Sequence, residues 1–272
     1  MQNYVTRDTR PPPTVDETTW PVLICLLGPF RLLEAGRPIT VHSDSKVAAL
    51  LSILAVRAGQ AIARETLLAL LWPDSPADLA GQALSTLIYK LSRRRTRGLH
   101  DAPLILHTYG AYRLNAAAGV TADVTLFDAL ADSGEAQFRA GDPGEATLSC
   151  ERALNIYHGD LHTASEDTYA MAERERLRGR YLTLLARLAA YRYQLGDDTG
   201  CLAYAQRLLA HDSCHEDAHR WVMRCYARQG ARGQALRQYH LCARALQHEF
   251  DALPEPETAA LYDQLRLDPT GL

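Results

Sequence analysis

The chain has 272 residues, 47% of them hydrophobic and 22% charged, with a formal net charge of −3. That balance describes ordinary globular protein with length enough for two domains, and it excludes a disordered chain. The longest apolar stretches, at 22–27 and 47–56, are far shorter than the roughly 20 residues of a membrane span, and the polar, Pro-rich start MQNYVTRDTRPPPTVDETT has no secretory apolar region, so a cytoplasmic protein with no membrane partner is expected.

Residues 1–19 read as a disordered arm. The run VLICLLGPFRLL at 22–33, a turn at 34–37 and a second short run at 38–41 predict one small antiparallel hairpin. Three helices follow. Ser43 or Asp44 caps the first, which runs to about residue 58 with Val47, Leu50, Leu51 and Leu54 at core spacing and Gly59 as its stop. The second covers residues 64–71 and ends at Trp72-Pro73. The third opens with Ser75-Pro76-Ala77-Asp78, a cap serine with proline at the first helical position, and runs to about Arg95. Segments 104–107 and 112–114 then flank Thr108-Tyr109-Gly110-Ala111 as a compact β-hairpin. Sheet, three helices and hairpin in this order make a winged helix.

From about Asp123 onward strand signals vanish and amphipathic helices take over. Leu195-Gly196-Asp197 and Gln229-Gly230-Ala231 are 34 residues apart, the period of tetratricopeptide helix pairs, and Ala140-Gly141-Asp142 opens a similar pair upstream. Ala203, Ala205, Ala218, Ala227 and Ala235 stand where such pairs pack closely, and a capping helix is expected over 257–265. The fold class is therefore mainly α: an N-terminal α+β winged-helix domain over 20–118, then an all-α tetratricopeptide-like domain over 119–272.

Cutting the chain at these features separates its charge. Residues 1–19 carry 2 basic and 3 acidic side chains, residues 20–118 carry 11 and 6, and residues 119–272 carry 16 and 23. A basic block beside an acidic one points to a polyanion as partner of the first. The six cysteines have no zinc-like or redox-pair spacing and read as small buried hydrophobes. His211, His215 and His219 recur every four residues, but Asp212-Ser213 interrupts the helix that would align them, so no metal and no cofactor is expected. No H-E-x-x-H, G-x-S-x-G or phosphate-loop motif occurs, which argues against an enzyme.

The segment LLGPFRLLEAGRPITV, followed by KVAALLSILAVRAGQAIARETLLALLWPD and ALSTLIYKLSRRR, resembles the OmpR-type winged helix of the Streptomyces antibiotic regulatory protein family. YHGDL, ERERLRGRYLTLLARLA and EDAHRWVMRCYARQGARGQALRQYHLCARAL resemble that family's bacterial transcriptional activation domain. The resemblance covers about residues 22–266 and implies a transcriptional activator that binds double-stranded DNA at promoter direct repeats, pairs as a homodimer there, and recruits RNA polymerase holoenzyme. It also implies that residues 74–79, after Leu71-Trp72-Pro73, touch the polymerase. One departure stands out: the family closes its wing with Gly-Tyr-Arg-Leu, and Ala111 replaces that glycine here, which puts the wing tip's geometry in question.

On a helical wheel Leu84, Leu87, Ile88 and Leu91 form the core face of the third helix. Gln82, Thr86, Tyr89 and Arg93 lie opposite, with Ser85 and Lys90 on the flanks. These side chains offer the donors, acceptors and methyl that read base edges in a major groove, with Gln82 suited to adenine and Arg93 to guanine. Arg93, Arg94, Arg95 and Arg97 suit phosphates, and Thr108, Tyr109 and Arg113 in the wing suit the adjacent minor groove. Two other readings compete: a protein-interaction scaffold built on the helical repeats, and a small-molecule sensor with its pocket in the helical domain.

Overall fold

The computed structural model describes residues 19–57, 59–93, 99, 102–163 and 167–267. The expected N-terminal arm lies outside them except for Thr19. Contacts gather into two compact units, residues 1–178 and 179–272.

The first unit opens with β1 (Val22–Cys25), β2 (Arg31–Glu34) and β3 (Arg37–Ile39). The apolar run read as one strand is broken at Gly28-Pro29, so the expected single hairpin is a three-stranded meander. A fourth strand, β7 (Val120–Ala122), joins parallel to β1, and the sheet order is β3-β2-β1-β7. Strand β7 was not expected, because three residues after a glycine carry no periodicity. A second sheet contains β4 (Ile62–Ala63), β5 (Ile105–Thr108) and β6 (Ala111–Leu114) in the order β4-β6-β5.

Helix α1 (Lys46–Val56) is apolar around most of its circumference and lies in contact with strands of both sheets, the environment such a helix requires. Its cap is Ser45, whose Oγ accepts from the Ala48 N–H at 3.2 Å, in place of the expected Ser43 or Asp44. Helix α2 (Arg64–Leu71) ends at Trp72 as expected, and α3 (Ala77–Arg93) follows. Leu50, Leu51, Leu54, Leu67, Leu71 and Leu84, all fully buried, supply apolar core from the three helices.

Helices α4 (Asp123–Ala140) and α5 (Pro143–Ile156) pack on each other, and α4 also contacts β1 and β7. The buried Asp123 carboxylate accepts the Leu26 N–H at 2.8 Å and the Leu27 N–H at 2.8 Å, so the first residue of α4 satisfies the backbone that leaves β1. Burial pushes this carboxyl up to about 7, with the N–H donors opposing the shift. The YHGDL segment holds the same strand end. The Gly28 N–H donates to Asp160 O at 3.2 Å, the His162 N–H to Leu26 O at 2.7 Å, and the Tyr157 hydroxyl to Asp160 Oδ1 at 2.7 Å. Residues 119–178 carry 5 basic and 12 acidic side chains and residues 179–272 carry 11 and 11. The acidic excess thus belongs to the same compact unit as the winged helix.

The second unit contains the rest of α6 (Thr168–Gln194), then α7 (Asp198–His211), α8 (Glu216–Arg228), α9 (Arg232–Phe250) and α10 (Pro256–Leu267). Gly196 and Gly230 take φ of 75° and 71° in equivalent turns, which is why glycine recurs at the 34-residue interval. Ala205, Ala218 and Ala235 are fully buried as expected, whereas Ala203 is exposed and Ala227 half-buried. Met223, Ala235, Leu261 and Leu265 form one core cluster that seats α10, and Arg232 Nε caps the Leu265 carbonyl at 2.8 Å. Among the described helices none is long and apolar enough to cross a membrane.

Candidate nucleic-acid interface

Helix α3 owes its orientation to its apolar stripe. Leu84 is fully buried, and Leu87, Ile88 and Leu91 are half-buried on the same side. Gln82, Ser85, Thr86, Tyr89 and Lys90 are therefore all exposed on the other faces. The Ser85 hydroxyl donates to Gly81 O and the Thr86 hydroxyl to Gln82 O, each at 2.9 Å. With their protons turned into the helix, these hydroxyls offer acceptor oxygens outward. Arg93 is the last residue of α3. Its side chain, and all of Arg94, Arg95 and Arg97, lie outside the described residues.

The wing is a tight hairpin. Thr108 pairs with Ala111, leaving Tyr109 and Gly110 as a two-residue loop with φ of 51° and 76°. Two successive positive φ values match the right-handed twist of the flanking strands. The expectation that Ala111 distorts the tip is corrected here: Ala111 is a strand residue, paired with Thr108 and with Ala63 of β4, and positive φ is required one residue earlier, where glycine stands. Alternation along β6 buries Tyr112 and Leu114 and exposes Arg113. Tyr112 stacks on His107 with ring centroids 4.4 Å apart, and the Tyr109 ring at the tip is fully exposed. Thr108 is exposed beside it. The structure thus puts Gln82, Ser85, Thr86, Tyr89 and Lys90 on one helix and Thr108, Tyr109 and Arg113 on one hairpin of the same compact unit.

After α2 the chain turns outward. Lys46 Nζ donates to Leu71 O at 2.6 Å and lies 5.8 Å from the centre of the Trp72 ring, while residues 73–79 are all exposed, Leu79 at 60%. Trp72 itself is half-buried.

The histidine triplet is divided among three structural tasks. His215 caps α8 through Nδ1, which accepts the Ala218 N–H at 3.3 Å. His219 is buried between Ser213 O at 3.0 Å and Gln238 Nε2 at 2.7 Å, and burial pulls its pKa below the usual 6.5. His211 meets the Tyr181 ring edge-on at 5.0 Å. Cys25, Cys150, Cys201, Cys225 and Cys242 are buried thiols.

The bacterial transcriptional activator domain family matches residues 122–266, more than half of the chain. The protein belongs to the Streptomyces antibiotic regulatory protein family. Over 94% of its length it is 28% identical to the regulatory protein AfsR of Streptomyces coelicolor, and over 90% it is 29% identical to the regulatory protein DnrI of Streptomyces peucetius. It spans 25% of the length of AfsR and 93% of that of DnrI. Its fold resembles that of Mycobacterium tuberculosis EmbR, solved in complex with a low affinity phosphopeptide, with a TM-score of 0.72 at 19% identity, covering 91% of this chain and 65% of that one. Relatives in this family are named as regulatory proteins, and this chain has a winged helix followed by tetratricopeptide-like helices.

Proposed function

We propose that the protein is a sequence-specific activator, acting by binding and not by catalysis, that reads promoter direct repeats in the cytoplasm. One observation carries this reading: a contiguous polar face of α3, exposed because the opposite face is anchored in the core, stands in one compact unit with an exposed wing tip. A helix fits the major groove and a β-hairpin tip the neighbouring minor groove. Gln82 and Arg93 read base edges, and the Thr86 methyl suits a thymine methyl. Tyr89 shares their face and Ser85 flanks it. Lys90, Arg94, Arg95 and Arg97 take phosphates, and Thr108, Tyr109 and Arg113 take the minor groove or its edge. Two copies occupy adjacent repeats, and the exposed segment at 74–79 recruits RNA polymerase holoenzyme. Beside α9 a hollow of 730 Å³, lined by Leu241, Leu253, Arg237 and Arg244 among others, supports protein contacts for the helical unit as well.

Selection of bound sequences from a random duplex pool tests the proposal on the full chain. Recovery of paired direct repeats is expected. Gln82→Ala should then lose discrimination at one base pair by about 1–3 kcal/mol, the range for a bidentate contact, and Thr86→Ala should lose less, at a second base pair, both leaving affinity for random duplex unchanged. Recovery of no preferred sequence would overturn the reading.

A further inference from the structure

The face of α3 contains an arginine that its own sequence does not supply. Arg64 is the first residue of α2, yet its guanidinium extends across to α3 and lies over Gly81. A Cβ at position 81 would come 2.5 Å from Nη2 and 3.3 Å from Cζ and Nη1. Only a residue without a side chain leaves room for the guanidinium where it lies.

The group borders a hollow of 720 Å³ whose other walls include Asp78, Gln82, Ser85 and Thr86, so it adjoins three residues of the reading face. Arg64 is half-buried, and among the described residues no carboxylate, Asp78 included, stands in an ion pair with it. A guanidinium carries five N–H donors in a fixed fork and is suited to an anionic oxygen pair. Its main chain is tied to the wing, since the Arg64 N–H donates to the Gly110 carbonyl at 2.9 Å, at the hairpin tip.

We infer that Arg64 is a DNA phosphate contact, placed on the strand that passes between the major groove occupied by α3 and the minor groove occupied by the wing. This rests on the DNA-reading proposal above. The geometry follows from covalent connectivity: two neighbouring grooves are separated by one sugar-phosphate strand, and Arg64 is the residue whose backbone holds the wing tip while its side chain reaches α3. Gly81 is its positioning partner. Phosphate contacts of this kind fix register without carrying sequence information.

The test is salt-titrated binding of the full chain to a selected duplex and to a random duplex of equal length. Arg64→Ala should weaken both by the same factor. The ratio of wild-type to variant affinity should shrink about threefold between 50 and 200 mM salt, the effect of removing one phosphate contact with a slope of about 0.9. Arg64→Gln keeps the stem that packs along α3 and should behave alike, which guards against a variant that loses its fold, and Arg64→Lys should retain the salt slope. Gly81→Ala should reproduce part of the loss when introduced into the wild-type chain and none of it when added to the Arg64→Ala variant.

An unchanged salt slope in both Arg64→Ala and Arg64→Gln would overturn the inference. So would a loss confined to the selected duplex, which would make Arg64 a base reader, or a Gly81→Ala effect of equal size in both backgrounds. If the wild type binds neither duplex, the DNA-reading proposal fails and takes this one with it. If the wild type binds and the variants match it, only the role of Arg64 fails.

Discussion

Each of the two compact units is held together internally by contacts of a different range. In residues 179–272 the helices pack mainly on neighbours in sequence, with α7 on α8, α8 on α9 and α9 on α10, while α10 also reaches back to α8, the short-range arrangement of a repeat protein. In residues 1–178 the decisive contacts join distant segments: β1 pairs with β7, and Asp123 receives N–H groups 97 and 96 positions away. The repeat unit can therefore be altered at one turn with local effect. The winged-helix unit has its β1 edge completed by the segment after residue 118, even though the residues proposed to meet DNA all precede it.

The largest expected effect follows from that difference. A fragment of residues 20–118 lacks β7 and Asp123 and leaves one edge of β1 open, so it should be poorly folded and bind duplex DNA far more weakly than residues 20–178. Circular dichroism melts and gel retardation of the two fragments compare them, and equal stability would show that β7 and α4 are dispensable. Asp123→Ala should act in the same direction in the full chain. It strands two buried N–H groups, each at a cost of about 1–3 kcal/mol, and chemical denaturation should report the loss.

Acid separates the units by sign. The folded chain holds the Asp123 proton up to about pH 7, whereas the unfolded carboxyl releases it near 3.8. The contribution of this group is therefore full below about pH 4 and declines as pH rises to 7. His219 is the reverse: its folded pKa lies below 6.5, so the stability it supports is present above pH 6.5 and is lost as pH falls through its folded pKa. Melting curves between pH 7 and 5 should show residues 1–178 gaining and residues 179–272 losing stability. Asp123→Ala and His219→Gln should each abolish one trend, and a common trend in both units would refute the assignment.

Two smaller effects sharpen the comparison at single turns. Gly230→Ala should cost roughly 1–2 kcal/mol, because alanine resists the positive φ of that turn, and limited proteolysis should locate the loosening near α8, α9 and the α10 packed on them. Ala111→Gly should cost about 0.5–1 kcal/mol through the entropy of a strand glycine and should not improve DNA affinity, since the tip already has Gly110 where it is needed.

What the sequence disclosed depended on the range of the signal. The bounds of α2 were legible because Trp72-Pro73 stops a helix locally, and the repeat turns were legible because glycine recurs at a fixed interval. The exposed face of α3 followed from the spacing of Leu84, Leu87, Ile88 and Leu91. Strands β4 and β7, of two and three residues, are too short for any periodicity, and they exist only because β6 and β1 offer them an edge. The Ala111 expectation failed because a single hairpin register decides which residue must turn, and the residue names alone left that register one position off. Arg64 was missed for a similar reason: its significance lies in the absence of a side chain at Gly81, seventeen positions later, on another helix.

The pairing of β1 with β7 also sets a timetable for the nascent chain. One edge of β1 finds β2 within a few residues of synthesis, but its other edge and the N–H groups of Leu26 and Leu27 wait for residues 120–123. At roughly 5–20 residues per second of elongation, the apolar segment VLICLL spends on the order of 5–20 s without its partner strand, a window in which another chain's exposed edge can pair with it. Overproduction should therefore favour aggregates seeded by this strand, and slowing translation just after residue 123, while the completed sheet closes, should raise the yield of soluble protein.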